Sequence, residues 1–276
     1  MLPLAFVLAA APAWCSLAPG VDYRLYDFAP AGAPKGQLHV VRIDSGKAEL
    51  AFGLSSREGT GPHTAADWAR RGRFVATINA GMFDLDHRSN VGRLVDGAHV
   101  NREPWNEYRS VLAFGPKGAA LLDLDTPQGR ASAERFERQV QNLRLIKGQG
   151  TQVWKPNGRA WSEAAVAQDA QGRILFLFSR AGAQMSAWNE AVLALDLGVQ
   201  RAMHVEGGPE ASLSLRPASG ASCPTVPSGG LDLAGSYETG FTPHDDNRAQ
   251  WELPNVLGVR ALTSRPAAAP ATPTPR

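Results

Sequence analysis

The stretch Ala164-Ala165-Val166-Ala167-Gln168-Asp169-Ala170-Gln171-Gly172-Arg173-Ile174-Leu175-Phe176-Leu177-Phe178 decides the fold class. Two apolar runs flank Asp169-Ala170-Gln171-Gly172, a cluster of turn formers, and that pattern predicts a β-hairpin. A hairpin joins antiparallel strands. The second run is apolar at every position from Ile174 to Phe178, so its strand is covered on both faces and lies centrally in its sheet. The same phrase recurs along the chain. Residues 109–114 and 119–124 flank Gly115-Pro116-Lys117-Gly118, and residues 37–43 and 47–52 flank Asp44-Ser45-Gly46. Each is read as a further hairpin. Two helices interrupt the strands. One covers 64–71, with Thr64 as its cap, Asp67 at the third helical position and Gly72 as its stop. The other runs from Ser186, its cap, to about Leu197, with Trp188, Val192 and Leu195 on one face and Gly198 beyond it. The predicted fold is α+β, a single mixed, largely antiparallel sheet domain with helices packed outside.

The chain has 276 residues, 43% of them apolar, which is enough to bury one sizeable core. Its net charge of +2 carries no basic stripe, so no nucleic-acid partner is expected. The first residues read as an export signal. Leu2 to Ala10 is an apolar core segment, and Ala11-Pro12-Ala13 has the small-x-small form of a cleavage site. The run falls short of the ~20 apolar residues that span a bilayer. A signal peptide over 1–13 is therefore expected, with a secreted or periplasmic product and no stable membrane span after cleavage. A lipoprotein anchored through Cys15 ranks second, because the bulky Trp14 precedes it. Residues 22–264 are assigned to one domain, and the Pro/Ala/Thr run over 265–276 to a disordered tail. Cys15 and Cys223 are the two cysteines of the chain. In an exported protein they pair, stay as thiols, or Cys15 is lost on processing, and spacing does not choose among these.

After each helix the chain repeats one order: a short basic stretch, an apolar strand, a polar residue and a turn of small residues. Phe74-Val75-Ala76-Thr77-Ile78 leads to Asn79-Ala80-Gly81, and Ala202-Met203-His204-Val205 leads to Glu206-Gly207-Gly208. A buried strand that follows a helix delivers the side chain at its C-terminal end to a cleft. Asn79 and Glu206 are therefore expected to face one cleft. In Glu206-Gly207-Gly208-Pro209-Glu210 the glycines let the backbone turn sharply and let a ligand approach, and the carboxylate before them is held by a strand. The bland alternative is a Gly-Gly-Pro turn with a solvated glutamate. Asn79 either binds sugar hydroxyls or a phosphate oxygen, or caps its own turn. His204, inside the apolar strand, reads first as a satisfied core histidine and second as a neighbour that tunes Glu206. Asp84-Leu85-Asp86-His87 begins like a calcium loop but lacks its glycine and closing glutamate. His244-Asp245-Asp246-Asn247 reads as a surface turn. No metal site and no cofactor are assigned. Serine-hydrolase, nucleotide-binding and zinc-protease patterns are missing from the sequence.

Three segments, in this order, resemble the phosphodiester glycosidase family: 74–83 (FVATINAGMF), 109–115 (RSVLAFG) and 202–213 (AMHVEGGPEASL). Residues 142–152 (NLRLIKGQGTQ) are similar to the family's central segment. The resemblance covers roughly residues 36–262. It implies a secreted or lumenal hydrolase that cleaves a sugar-1-phosphodiester bond, with a small carbohydrate or glycosyl phosphodiester as its substrate. Asn79 falls on the family's strand-end Asn, Arg109 on its Arg before an apolar strand, and Glu206-Gly207-Gly208 on its acidic-Gly-Gly turn. Better-studied members carry Asp at the acidic position, so Glu206 places its carboxylate one methylene further out. Glycoside cleavage commonly uses two carboxyl groups. A phosphodiester leaving group needs charge neutralisation, which Arg109 supplies by a bidentate contact. Glu206 is assigned as nucleophile or base. The second carboxylate is left open among Glu210, Glu103 and Asp84. Gly81, Gly207, Gly208, Asp84 and Asn79 are assigned to substrate binding. The rival reading is a non-catalytic carbohydrate-binding or cell-envelope-associated protein on the same fold.

Overall fold

The structure, a computed structural model, describes residues 13–236 and 247–262. The expected signal segment up to residue 12 and the expected tail over 265–276 lie outside the described residues.

Among the described residues, eighteen strands and four α-helices are formed. The first strands are β1 (Cys15–Ala18), β2 (Val21–Phe28), β3 (Gly36–Ile43), β4 (Ala48–Leu54), β5 (Ala76–Asn79) and β6 (Leu94–Asp96). Then come β7 (His99–Arg102), β8 (Ser110–Gly115), β9 (Gly118–Asp123), β10 (Arg138–Asn142), β11 (Arg144–Lys147) and β12 (Thr151–Gln152). The last are β13 (Trp161–Asp169), β14 (Ile174–Ala183), β15 (Val199–Gly207), β16 (Ser212–Leu215), β17 (Leu231–Ala234) and β18 (Asn255–Ala261). The helices are α1 (Ser55–Glu58), α2 (Ala65–Gly72), α3 (Pro127–Ala133) and α4 (Met185–Leu193).

The strands make three sheets, in the orders β1-β2-β3-β14-β13-β15-β11-β12, β7-β6-β10-β8-β9 and β17-β16-β5-β18-β4. The α+β class holds at this level, but the single sheet does not. Neighbouring strands run antiparallel throughout, from β1–β2 to β8–β9. The reason for three sheets shows at residues 44–47. Lys47 and Ala48 donate their backbone N–H groups to the Asp44 carbonyl, so the chain does reverse there. Yet β3 pairs with β2 and β14, while β4 pairs with β18. The expected 37–52 hairpin is thus a connection between sheets. Val41 and Ile43 of one strand face Leu50 and Phe52 of the other across the main core instead of along a shared ladder.

The two other hairpins form as expected, as β8–β9 and β13–β14. β14 lies between β3 and β13 and explains its own sequence. Ile174, Phe176 and Phe178 point into the core between the sheets, while Leu175 and Leu177 pack with Trp188 and Val192 of α4 on the other face. Period-two alternation with two apolar faces is what a strand covered on both sides requires.

Thr64 caps α2, accepting from the Asp67 N–H at 3.1 Å and donating its hydroxyl to the Asp67 carboxylate at 2.7 Å. The helix ends one residue later than expected, at Gly72, and Arg73 takes the left-handed turn with φ 52°. Gly72 is there for space: a Cβ would sit 2.2 Å from the Phe74 ring. α4 begins at Met185, and the cap position is Gln184, which makes no side-chain capping bond. Ser186 lies inside the helix and is buried, so it is not the cap, and Leu195 lies past the helix end. Cys15 and Cys223 are joined in a disulfide that ties β1 to the loop between β16 and β17. Among the described residues no helix is long and apolar enough to cross a membrane.

Candidate active site

The two strand-end turns meet where the chain crosses from the first sheet to the third. β15 ends at Gly207, a single 3-10 turn follows over Gly208–Glu210, and β16 then pairs with β5 through Leu213 and Ile78. The crossover therefore lays the Glu206–Glu210 turn against the end of β5. Two glycines make it possible. Gly208 takes a left-handed φ of 66°, a region that disfavours residues with a Cβ. A Cβ on Gly207 would lie 2.7 Å from the Trp161 ring.

An open cleft of about 360 Å³ lies at this junction. Its walls are Met82, Phe83, Asp84, Leu85, His87 and Val91 from the loop after β5, Tyr108 from the loop before β8, and Glu206 and Glu210 from the crossover. The Asp84–Ser89 part of that loop is tied down by its own carboxylates. Asp86 accepts the N–H groups of Arg88 and Ser89 and the Ser89 hydroxyl, and Asp84 accepts the Leu85 N–H. Asp84 Oδ1 and Asp86 Oδ1 are thus committed to backbone donors, as in an Asx turn.

Glu206 is half-buried, and one oxygen accepts the Gly207 N–H at 3.1 Å. Burial pushes its carboxyl up to about 8; His204 pulls against the rise and Glu210 adds to it. Burial also raises the Glu210 carboxyl, with His87 opposing. Tyr108 is raised by burial, and by the nearby Glu107 and Glu206.

Behind Glu206 lies a pair that the sequence reading did not connect. Glu163 of β13 is fully buried, and its Oε1 stands 2.7 Å from His204 Nδ1. Trp161 Nε1 donates to the other oxygen at 3.3 Å. Burial alone would lower the His204 imidazole, but the charge and hydrogen bond of Glu163, with Glu206 nearby, turn the net direction upward. His204 is the buried histidine that its apolar strand predicts, with an acidic partner. Glu163 gave no signal of its own, because a glutamate at the start of an apolar strand reads as a solvated strand end.

The expected site residues fall in three places. Glu206, Glu210 and Asp84 share the cleft. Asn79, Gly81, Gly207 and Gly208 build its frame. Asn79 is 1% exposed, and both ends of its amide bind backbone: Nδ2 donates to the Glu210 carbonyl at 3.0 Å and Oδ1 accepts the Ser212 N–H at 2.8 Å. Gly81 is packed against Asn90 and Asn142, with room for a Cβ only 3.0 Å from Asn90 Oδ1. The Gly207 N–H is taken by Glu206, and the Gly208 carbonyl accepts the Ser162 hydroxyl. Arg109 and Glu103 stand apart from the cleft lining. Arg109 is exposed at the foot of β8, and its carbonyl accepts the Leu124 N–H. Glu103 is exposed, and its carbonyl accepts from Arg93, whose guanidinium stacks on Trp105. Of the 244–247 cluster, Asn247 is described and buried, donating to the Gly235 carbonyl; His244, Asp245 and Asp246 lie outside the described residues. Among the described residues no group of three or more potential metal ligands gathers.

The comparisons with known proteins agree with this architecture. Among solved structures, the chain is similar to the catalytic domain of zebrafish N-acetylglucosamine-1-phosphodiester alpha-N-acetylglucosaminidase, auto-inhibited by its pro-peptide. The TM-score is 0.65 at 13% identity, over 90% of this chain and 86% of that one. It is also similar to a hypothetical protein from Synechocystis, with a TM-score of 0.57 at 15% identity, over 87% of this chain and 62% of that one. At such identities the likeness speaks for the fold. No curated protein matches the chain. The phosphodiester glycosidase family model matches residues 72–260, which hold both strand-end turns, the cleft and the Glu163–His204 pair. This chain belongs to the phosphodiester glycosidase family.

Proposed function

We propose that the chain is an exported hydrolase that cleaves a glycosyl phosphodiester, with Glu206 as its general acid. The observation that carries this reading is the placement of Glu206 and Glu210 on one wall of a cleft, with the Glu206 carboxyl raised to about 8. At neutral pH such a group is protonated, and a protonated carboxyl in a cleft is what donation to a leaving oxygen needs. The nucleophile-or-base role expected from sequence thus passes to the neighbouring carboxylate, Glu210. His87 is the basic side chain in the lining and stands near Glu210, which makes it the candidate contact for a phosphate in this reading. Arg109 lies outside the lining, so this reading gives it no contact with the phosphate. The disulfide between Cys15 and Cys223 supports export, since disulfides persist in oxidising compartments. It also occupies the thiol that a lipid anchor would need.

The test is sugar release from a panel of aryl- and nucleotide-linked sugar-1-phosphodiesters, by wild type beside Glu206→Gln. Wild type should turn over at least one substrate, with a rate that falls on the alkaline side near pH 8. A Glu206→Gln variant as active as wild type defeats the assignment. Tight sugar binding without turnover by either protein favours the carbohydrate-binding reading.

A further inference from the structure

Glu163 and His204 are buried, titratable and unused by the chemistry just described. Burying a carboxylate and an imidazole together is costly unless each satisfies the other. Here they do so at 2.7 Å, in a position set by strand pairing. β13 and β15 run antiparallel, with Glu163 opposite Gly207 and Ala164 opposite Glu206. The register then slips, because Ala165 pairs with His204 and leaves Val205 as an extra residue on β15. Such a bulge bends its strand and re-aims the side chains beside it. Val205 drops into the main core, and the bulge lies between the buried pair and the carboxyl that opens to the cleft.

We propose that Glu163 and His204 are positioning residues for Glu206: the pair holds one proton beneath the cleft, and its imidazolium keeps the Glu206 carboxyl able to ionise. This inference rests on the role given to Glu206 above and adds the device that serves it. A general acid must lose its proton in one step and regain it before the next turnover. Desolvation and the carboxylates of Glu210 and Glu163 all favour the protonated form of Glu206, and the Gly207 N–H and His204 oppose them. Tyr108, reaching in from the loop before β8, is neutral and does not help. Remove the imidazolium and the proton stays put. Glu163 serves by holding the imidazole charged; burial raises its own carboxyl, and the His204 charge and the Trp161 indole N–H oppose that rise. Neither residue of the pair needs to touch substrate.

The experiment reads protonation directly and requires no substrate. The full chain is labelled with 13C at glutamate carboxyls, and the Glu206 resonance is identified by its loss in Glu206→Gln. Its titration is then compared between wild type and His204→Gln. The inference expects the midpoint to rise in the variant by about one pH unit, a tenfold gain in proton affinity. An unchanged or lowered midpoint overturns it, even with a lower melting temperature, because that combination marks a merely structural pair. Should His204→Gln fail to fold, Glu163→Gln carries the test through 15N titration of the His204 ring. The ring midpoint should fall, with partial recovery in Glu163→Asp, and a ring that titrates as in wild type defeats the proposal. Since activity does not enter, the outcome stands apart from whether the chain cleaves phosphodiesters.

Discussion

The ends of β5 and β15 carry the same sequence phrase and do opposite work. Each is an apolar strand that finishes on a polar residue and a turn of small residues. At β5 the polar residue is spent on the protein itself, since both atoms of the Asn79 amide bind the backbone of the Glu210–Ser212 segment. At β15 the polar residue keeps capacity in reserve. Glu206 accepts one N–H from its own neighbour and otherwise opens on the cleft. The difference lies in which partner arrives across the strand end. β5 meets the start of β16, whose first N–H and preceding carbonyl need partners, and an asparagine offers both a donor and an acceptor. β15 meets the loop over residues 82–91, whose donors and acceptors close on one another through Asp84 and Asp86. A strand-end side chain is available for chemistry when its neighbours have already satisfied themselves.

That contrast breaks most visibly at Glu206. Glu206→Gln should lower turnover by about 10²–10⁴-fold, the range over which a positioned acid acts, while leaving the melting temperature near that of wild type. Steady-state sugar release beside a thermal melt decides it, and a variant that loses stability in place of activity would make Glu206 another Asn79.

The disulfide asks whether the two turns share one cooperative unit. Cys15 and Cys223 are separated by 208 residues, so closing that loop restricts the unfolded chain strongly. Replacing both by serine should cost about 2–5 kcal/mol of unfolding free energy in denaturant titrations. Turnover by the protein that remains folded should be unchanged, since neither cysteine lines the cleft. A large loss of turnover at full folding would tie the cleft to β1.

Much of this was legible from the residues, and what was not has a common cause. The β8–β9 and β13–β14 hairpins could be read because both strands and their turn lie within one short window. The 37–52 stretch has an equally good turn, but a turn specifies reversal and not partnership; β4 finds β18 some two hundred positions away. The Glu206 turn could be found because its glycines and strand are local. Glu163 could not, since its meaning comes from lying opposite Gly207 on a strand joined by a helix and a hairpin. Arg109 and Glu103 carry suitable chemistry in a neighbouring loop, yet Tyr108 is the residue of that loop that lines the cleft. Which of these side chains turns inward depends on loop geometry, here fixed by Gln141 binding the carbonyls of Asn106 and Tyr108.

Asn79 sharpens the comparison from the other side. Asn79→Ala leaves the buried Ser212 N–H without its partner and the Glu210 carbonyl with the Ser212 hydroxyl alone, which should cost about 1–3 kcal/mol. Chemical denaturation measures this directly. If Asn79 instead contacts substrate, the loss will appear in KM at unchanged stability, and the assignment of this turn to the frame is wrong.

The smallest effect concerns how stability follows pH, and its sign is opposite to that of a paired carboxylate. The folded-state value for Glu206 is about 8, above its ordinary value of 4.5, so between those values the folded protein holds a proton that the unfolded chain has released. Folding is then favoured at low pH, and the contribution of this residue falls as pH rises from about 4.5 to about 8, after which it is constant. Glu206→Gln cannot ionise and escapes the penalty. The variant should therefore match wild type near pH 4.5 and melt slightly higher at pH 8, by an amount kept small because the carboxyl is partly exposed to water. Melting curves of both proteins across this window give the slope. Equal slopes would mean that Glu206 ionises freely in the folded state. It would then sit in the cleft as an ordinary carboxylate, suited to attack or to base chemistry, and the acid would have to be Glu210.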